Sequence, residues 1–195
     1  SCRMNHVLYL SGSNTEENVF AGSFIEPSNG SVFDWSTYIC KRGPGIWRLS
    51  GPWFRSRGMI GVEEGTLRID SVEPVGAICS LGLGTMPTIP GTTATTATDP
   101  SVVAPYQVAI GGERTEGTLE YVGTADASCD TRPIGVTGLG RLRNATDCDF
   151  CWTNVFGVGE GAKVLALDGD SMTAENVLET VTNACGTLSI VKDGK

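Results

Sequence analysis

The chain reads as a mainly β protein, an antiparallel sandwich or barrel-like fold, closed by a C-terminal strand–helix–strand element that makes it α+β by strict count. Three observations predict this. Glycine is abundant, 26 of 195 residues, and threonine recurs throughout; both suit strands and turns better than helices. The apolar runs are short and broken by Gly, Pro and Asn. One stretch near the C-terminus carries an i, i+3, i+4 apolar pattern.

Residues 1–83 form the β-rich N-terminal part. The opening "SCRMNHVLYL" reads as a strand. "VFAGSFIE" and "SVFDWSTYIC" flank "PSNG", so Asn29-Gly30 signals a hairpin. "GIWRLSGPWFRSRGMIGV" holds a Gly51-Pro52 turn between two further strands. "GTLRIDSV" and "GAICSLGL" follow. Residues 84–105, "GTMPTIPGTTATTATDPSVVAP", are rich in Thr, Ala and Pro and carry only Asp99 as a charge. Such a segment cannot build a core, and it is a long surface loop or a linker between two subdomains.

Residues 106–195 form the β-rich C-terminal part, with "YQVAIGG", "GTLEYVG", "RPIGVTG", "TNVFGVG" and "AKVLALDGD" as strands. One helix is expected near 172–185. Ala174, Val177, Leu178, Val181 and Ala184 fall on one helical face. Ser171 or Thr173 caps it, Glu175 suits its first turn, and Gly186 closes it. "GTLSIVK" is the last strand. "IGVEEGTLRI" (60–69) resembles "IGGERTEGTLEY" (110–121) across a two-residue insertion, and Gly-Thr-Leu recurs at 186–188. Either each half carries the same hairpin, or chance in a Gly/Thr-rich chain repeats the words; the second reading is the simpler.

The net charge is −8. Residues 106–195 carry most of the excess, with seven basic against thirteen acidic side chains. Nucleic-acid binding needs a basic face, so the acidic C-terminal half argues against that class, and no nucleic-acid partner is expected. No apolar run is long enough for a transmembrane segment.

"TDCDFCW" places Cys148 and Cys151 two residues apart. Structural zinc usually takes two such pairs, and the only histidine, His6, is remote. A redox dithiol favours a helix N-terminus, whereas here glycine-broken β sequence follows, and Asp147 and Asp149 oppose thiolate formation. The preferred reading is structural disulfides in an oxidising compartment. The expected pairs are Cys40–Cys79, Cys151–Cys185 and Cys129–Cys148. Cys2 is left over, either free or joined to a neighbouring subunit. Sequons at Asn29 and Asn144 support the same compartment as glycosylation sites.

Nothing marks catalytic residues, a cofactor or a metal set. His6 lies in an apolar strand, and nucleophile-elbow, P-loop and zincin motifs are absent. Glu63-Glu64 and Asp168/Asp170 look like turn residues, and "DGDS" opens like a calcium loop without its downstream ligands. The distinctive stretch is "CKRGPGIWRLSGPWFRSRG" (40–58). Its Trp47, Arg48, Trp53, Arg55 and Arg57 combine stacking faces with forked donors for carboxylates or sulfates. The competing reading is that the tryptophans are core, since Trp47 and Leu49 would share one strand face and Ile46 and Arg48 the other.

The expected function is therefore non-catalytic assembly, attachment or recognition at an extracellular, cell-surface or virion surface. Suitable examples are a filament or fimbrial subunit, an adhesin or a viral protrusion. The partner is another copy of the chain, a host or surface glycan, or a protein. In a filament the strand-like residues 1–10 would pair with a neighbour, so their removal would stop polymerisation. A metal or redox protein built on Cys148/Cys151 and a secreted hydrolase are the alternatives.

Overall fold

A computed structural model describes residues 6–22, 37–50, 59–82, 107–183 and 185–195. They form an all-β, parallel β-solenoid. Two ladders face each other. The first runs through β1 (His6–Leu10), β3 (Thr37–Lys41), β5 (Ile60–Val62), β7 (Val108–Ile110), β10 (Ile134–Val136), β12 (Phe150–Gly157) and β14 (Asn176–Asn183). The second runs through β2 (Glu17–Phe20), β4 (Ile46–Leu49), β6 (Gly65–Ile69), β8 (Glu116–Tyr121), β11 (Leu139–Asn144), β13 (Ala162–Gly169) and β15 (Thr187–Lys192). A short strand, β9 (Ala127–Cys129), also pairs with β12. Successive strands never pair with each other. Each lies beside the strand two places away or, around β9, three places away (β7–β10, β8–β11, β9–β12), always in parallel.

The predicted antiparallel sandwich or barrel is thus corrected. Short strands with frequent turn signals are common to both architectures. What separates them is whether a corner returns the chain to the same sheet or carries it to the facing one. Glu63–Glu64 lies between β5 and β6, a length that would suit a hairpin. Here it turns the chain through a corner into the other ladder.

Parallel pairing in register stacks like on like at about 4.8 Å per turn. Leu8, Ile39, Ile60, Val108, Ile134, Val155 and Val181 form one such column. Trp47, Leu67, Leu119, Leu142 and Leu167 form its counterpart on the second ladder. These columns fill the space between the ladders, and most of their members are fully buried. Tyr121 stacks on Phe150, and Trp152 meets Phe150 edge-on. β5 pairs with β7 and β6 with β8, so the chain on either side of 84–105 belongs to the same two ladders. Residues 84–105, like Asn29-Gly30 and Gly51-Pro52, lie outside the described residues.

The helix expected near 172–185 is instead β14 and its flanking turns, and no helix occurs among the described residues. Ser171 does what a cap does: its hydroxyl accepts the N–H groups of Thr173 and Ala174, both at 3.0 Å. The chain then extends. β14 follows β12, whose inward side chains Trp152 and Val155 are three residues apart. Their partners Leu178 and Val181 inherit that spacing, which copies a helical i, i+3 pair. Val177, Thr180, Val181 and Thr182, all β-branched, belong to strand chemistry.

Candidate functional site

Because all pairings are parallel, every strand of the first ladder points to one edge of the solenoid. The corners at that edge run through two to six residues: 11–16, 42–45, 63–64, 111–115, 137–138 and 158–161, with 185–186 before β15. At the other edge the described connecting residues include 70–82, 122–133, 145–149 and 170–175. One edge is trimmed and the other carries insertions.

The trimmed edge is closed by buried cations. Lys41 is fully buried, and its ammonium donates to the carbonyls of Gly43 (2.6 Å), Glu64 (2.9 Å) and Arg42 (3.2 Å). Lys163, 1% exposed, donates to the carbonyls of Cys185 (2.9 Å) and Gly161 (3.1 Å). Each ammonium bridges its own corner to the next one. In both cases the next corner carries a left-handed glycine against that nitrogen: Gly65 (φ 71°) beside Lys41 and Gly186 (φ 70°) beside Lys163. Burial lowers the Lys41 pKa. Thr115 and Thr137 tie further corners by donating to the carbonyls of Glu63 (2.8 Å) and Gly111 (2.5 Å).

The inserted edge is held by Arg132, which is 1% exposed. Its guanidinium donates to the carbonyls of Gly82 (2.7 Å), Pro74 (3.2 Å), Ala77 (3.2 Å), Leu81 (3.4 Å) and Glu73. One side chain thus organises the 70–82 excursion. Ser80 completes it, donating to the Asp70 carboxylate at 2.5 Å and accepting the Asp70 and Ser71 N–H groups. The indole of Trp152 donates to the Arg132 carbonyl.

A charged stripe covers the outer face of the second ladder, with Arg48, Arg68, Glu120, Arg143 and Asp168 in one column. Arg68 bridges Glu17 (3.1 Å) and Glu120 (2.5 Å), and Glu120 also meets Arg143 at 2.8 Å. Arg143 reaches Asp168 (2.8 Å) and Asp170 (2.6 Å). Arg141 holds Asp168, Glu116 and Asp193. Burial pushes the Asp168 carboxyl up, but Arg143 and Arg141 outweigh it and hold its pKa below the usual value.

The residues expected to form a recognition patch are divided. Trp47 and Arg48 lie on opposite faces of β4. Trp47 packs against the core and its indole donates to the Ser11 carbonyl at 3.1 Å. Arg48 faces outward to Asp70 (3.4 Å) and Glu17 (3.6 Å). Lys41 is interior, and Arg42 is engaged by Glu63 at 2.7 Å and lies over the Tyr9 ring. Trp53, Arg55 and Arg57 lie outside the described residues, as do Cys2 and the Asn29 sequon. Asn144 is 2% exposed, and its amide nitrogen donates to the Cys148 carbonyl and to Asn176 Oδ1, each at 2.8 Å. A glycan on that nitrogen requires both bonds to open.

The six described cysteines, Cys40, Cys79, Cys129, Cys148, Cys151 and Cys185, are free thiols. The Cys151–Cys185 pairing is ruled out by register: Cys151 lies opposite Val177, and nearly the whole of β14, roughly 20 Å, separates Val177 from the Cys185 corner. Cys40 sits beside the trimmed edge, where burial and Glu63 push its pKa up to about 11. Cys79 is enclosed in the 70–82 excursion at the other edge, which separates the expected Cys40–Cys79 pair. Cys148 lies in the 145–149 corner, whereas Cys129 pairs with Trp152 in the β9–β12 ladder, and the two remain unjoined. Burial, then Asp149, Glu175 and Glu179, raise the Cys151 pKa. That favours its thiol over the thiolate that metal or redox chemistry uses. Among the described residues no cluster of three or more His, Cys, Asp or Glu side chains is arranged to hold a metal.

Glu63 is held below the usual carboxylate range chiefly by Arg42. Sequence reasoning missed Arg132, Lys41 and Lys163 as organisers, and no local signal distinguishes them from surface cations. Comparisons with protein-family models, curated proteins and solved structures return no match.

Proposed function

We propose that this chain is a non-catalytic recognition or attachment protein of an extracellular or particle surface, and that the insertion-bearing edge of the solenoid is its binding surface. The observation that carries the reading is the asymmetry of the two edges. Corners on one side have at most six residues and two are locked by interior lysines, while the long described excursions, 70–82 and 122–133, lie on the other. A rigid scaffold presenting loops from one edge is how binding surfaces are commonly built. In sequence, the aromatic and arginine residues of 50–59 fall between β4 and β5, and the Thr/Pro-rich 84–105 between β6 and β7. Arginines and carboxylates of the charged stripe pair largely with each other. A sulfated or carboxylated glycan, or an acidic protein surface, suits the arginines.

The test is binding to an array of sulfated, sialylated and neutral glycans. A Trp53→Ala/Arg55→Ala/Arg57→Ala variant and a chain with 84–105 replaced by a short Gly/Ser link are expected to lose binding while keeping the β-type far-UV spectrum. Glu113→Ala/Arg114→Ala, on the trimmed edge, is expected to bind normally. Binding abolished by the trimmed-edge variant and retained by both others would overturn the reading.

A further inference from the structure

Two thiols lie where nothing described so far uses them. Cys79 and Cys129 are both fully buried in the same apolar cluster. Cys79 belongs to the 70–82 excursion and Cys129 ends β9. Each sulfur rests against a carbonyl of that excursion: Cys79 Sγ at 3.6 Å from the Gly82 oxygen, Cys129 Sγ at 3.8 Å from the Glu73 oxygen. The same two carbonyls are gripped by one guanidinium, that of Arg132. Both thiols therefore flank a single hydrogen-bonded cage. Burial raises the Cys129 pKa, and the neighbouring Cys79 adds to that rise. The other described thiols are dispersed: Cys40 at the Glu63 corner, Cys148 in the 145–149 corner, Cys151 half-buried in β12, and Cys185 exposed beside Gly159.

We propose that Cys79 and Cys129 join as a disulfide when the chain folds under oxidising conditions, clasping the 70–82 excursion to β9. The cross-link would enclose residues 80–128, including the Thr/Pro-rich segment, and fix the root of the largest insertion. It stands independently of what the inserted edge binds. Oxidised glutathione balances the chemistry. One deprotonated thiol attacks it to give a mixed disulfide and release one reduced glutathione. The second thiolate then displaces the other, so two electrons pass to glutathione and two protons leave the protein. Both sulfurs are enclosed in the native chain, so the exchange precedes closure of the excursion.

The experiment is refolding of the reduced, denatured full chain in a glutathione redox buffer. N-ethylmaleimide then blocks residual thiols, and the protein is digested without reduction. The expected product is a peptide linking Cys79 to Cys129, with a higher Tm for the oxidised than for the reduced protein. A Cys79→Ala/Cys129→Ala variant, which removes little volume, is expected to show no such rise. Refolded protein with both cysteines alkylated, or with either joined to a different cysteine, overturns the proposal. So does an oxidised protein whose Tm matches that of the reduced one.

Discussion

Single residues at the corners decide whether one turn can sit on the next. Gly65 adopts φ 71°, and a Cβ there would lie 2.4 Å from the Gly43 oxygen and 2.8 Å from the Lys41 ammonium. Gly186 repeats the arrangement against Gly161 and Lys163. Gly65→Ala is therefore expected to destabilise the fold by about 1–3 kcal/mol, combining an unfavourable left-handed backbone with a steric clash. Urea denaturation measures it. Gly76, also left-handed but with open space around its Cβ position, serves as the control: Gly76→Ala should cost less. The sequence does not reveal that Lys41 and Lys163 point inward. Their neighbours, Arg42 and Ala162, are exposed, and carbonyls of the same corner together with those of the next turn satisfy the buried ammonium groups. The alternation within β4, by contrast, is legible: Leu49 is buried and Trp47 packs inward while Arg48 faces out, as the period of two requires.

Elements carry the larger misreading. Short strands were evident in "GTLRIDSV", "GTLEYVG" and "AKVLALDGD", but their partners are remote in sequence. The column Ile39, Ile60, Val108, Ile134, Val155 and Val181 repeats at unequal intervals because insertions of different length separate the turns. That hides the period by which a solenoid announces itself. One echo survived. Gly65-Thr66-Leu67 pairs in register with Gly117-Thr118-Leu119, so the resemblance between 60–69 and 110–121 reflects adjacent turns, not paired hairpins. Its first part is offset, since Ile60 pairs with Val108 and not with Ile110. The third Gly-Thr-Leu, at 186–188, stands at a corner, with Leu188 opposite Lys163. At this scale the 70–82 excursion gives the sharpest test. Arg132→Met keeps a long side chain but removes every donor to five buried or partly buried carbonyls. It should destabilise the protein by roughly 3–5 kcal/mol, as breaking a buried charged network does. Hydrogen exchange should accelerate first at the Ala77 and Gly82 amides, which close turns inside the excursion.

For the whole molecule, the charged stripe ties together turns that are otherwise joined by backbone bonds and core contacts. Glu63 and Asp168 both have lowered folded-state pKa values, so the unfolded chain takes up their protons first as the pH falls. Their contribution is fully present above the unfolded values, near pH 4. It is lost as the pH drops from there through the folded values. The urea midpoint should accordingly be flat from pH 7 to about 5 and fall below about 4. High salt at pH 7 should weaken the exposed Arg42–Glu63 pair more than the enclosed Glu120 pairs.

The in-register stacking also has a mechanical side. Every ladder hydrogen bond points along the solenoid axis, and each turn touches mainly the turn before and after it. A tether pulling the two ends apart along that axis loads these bonds in series, a turn at a time, as in opening a zip. A tether pulling across the strands loads a whole ladder in shear. Attached through its inserted edge, the molecule would meet force broadside, in its stiff direction. Held by its ends, it would pay out chain turn by turn, as a shock absorber does.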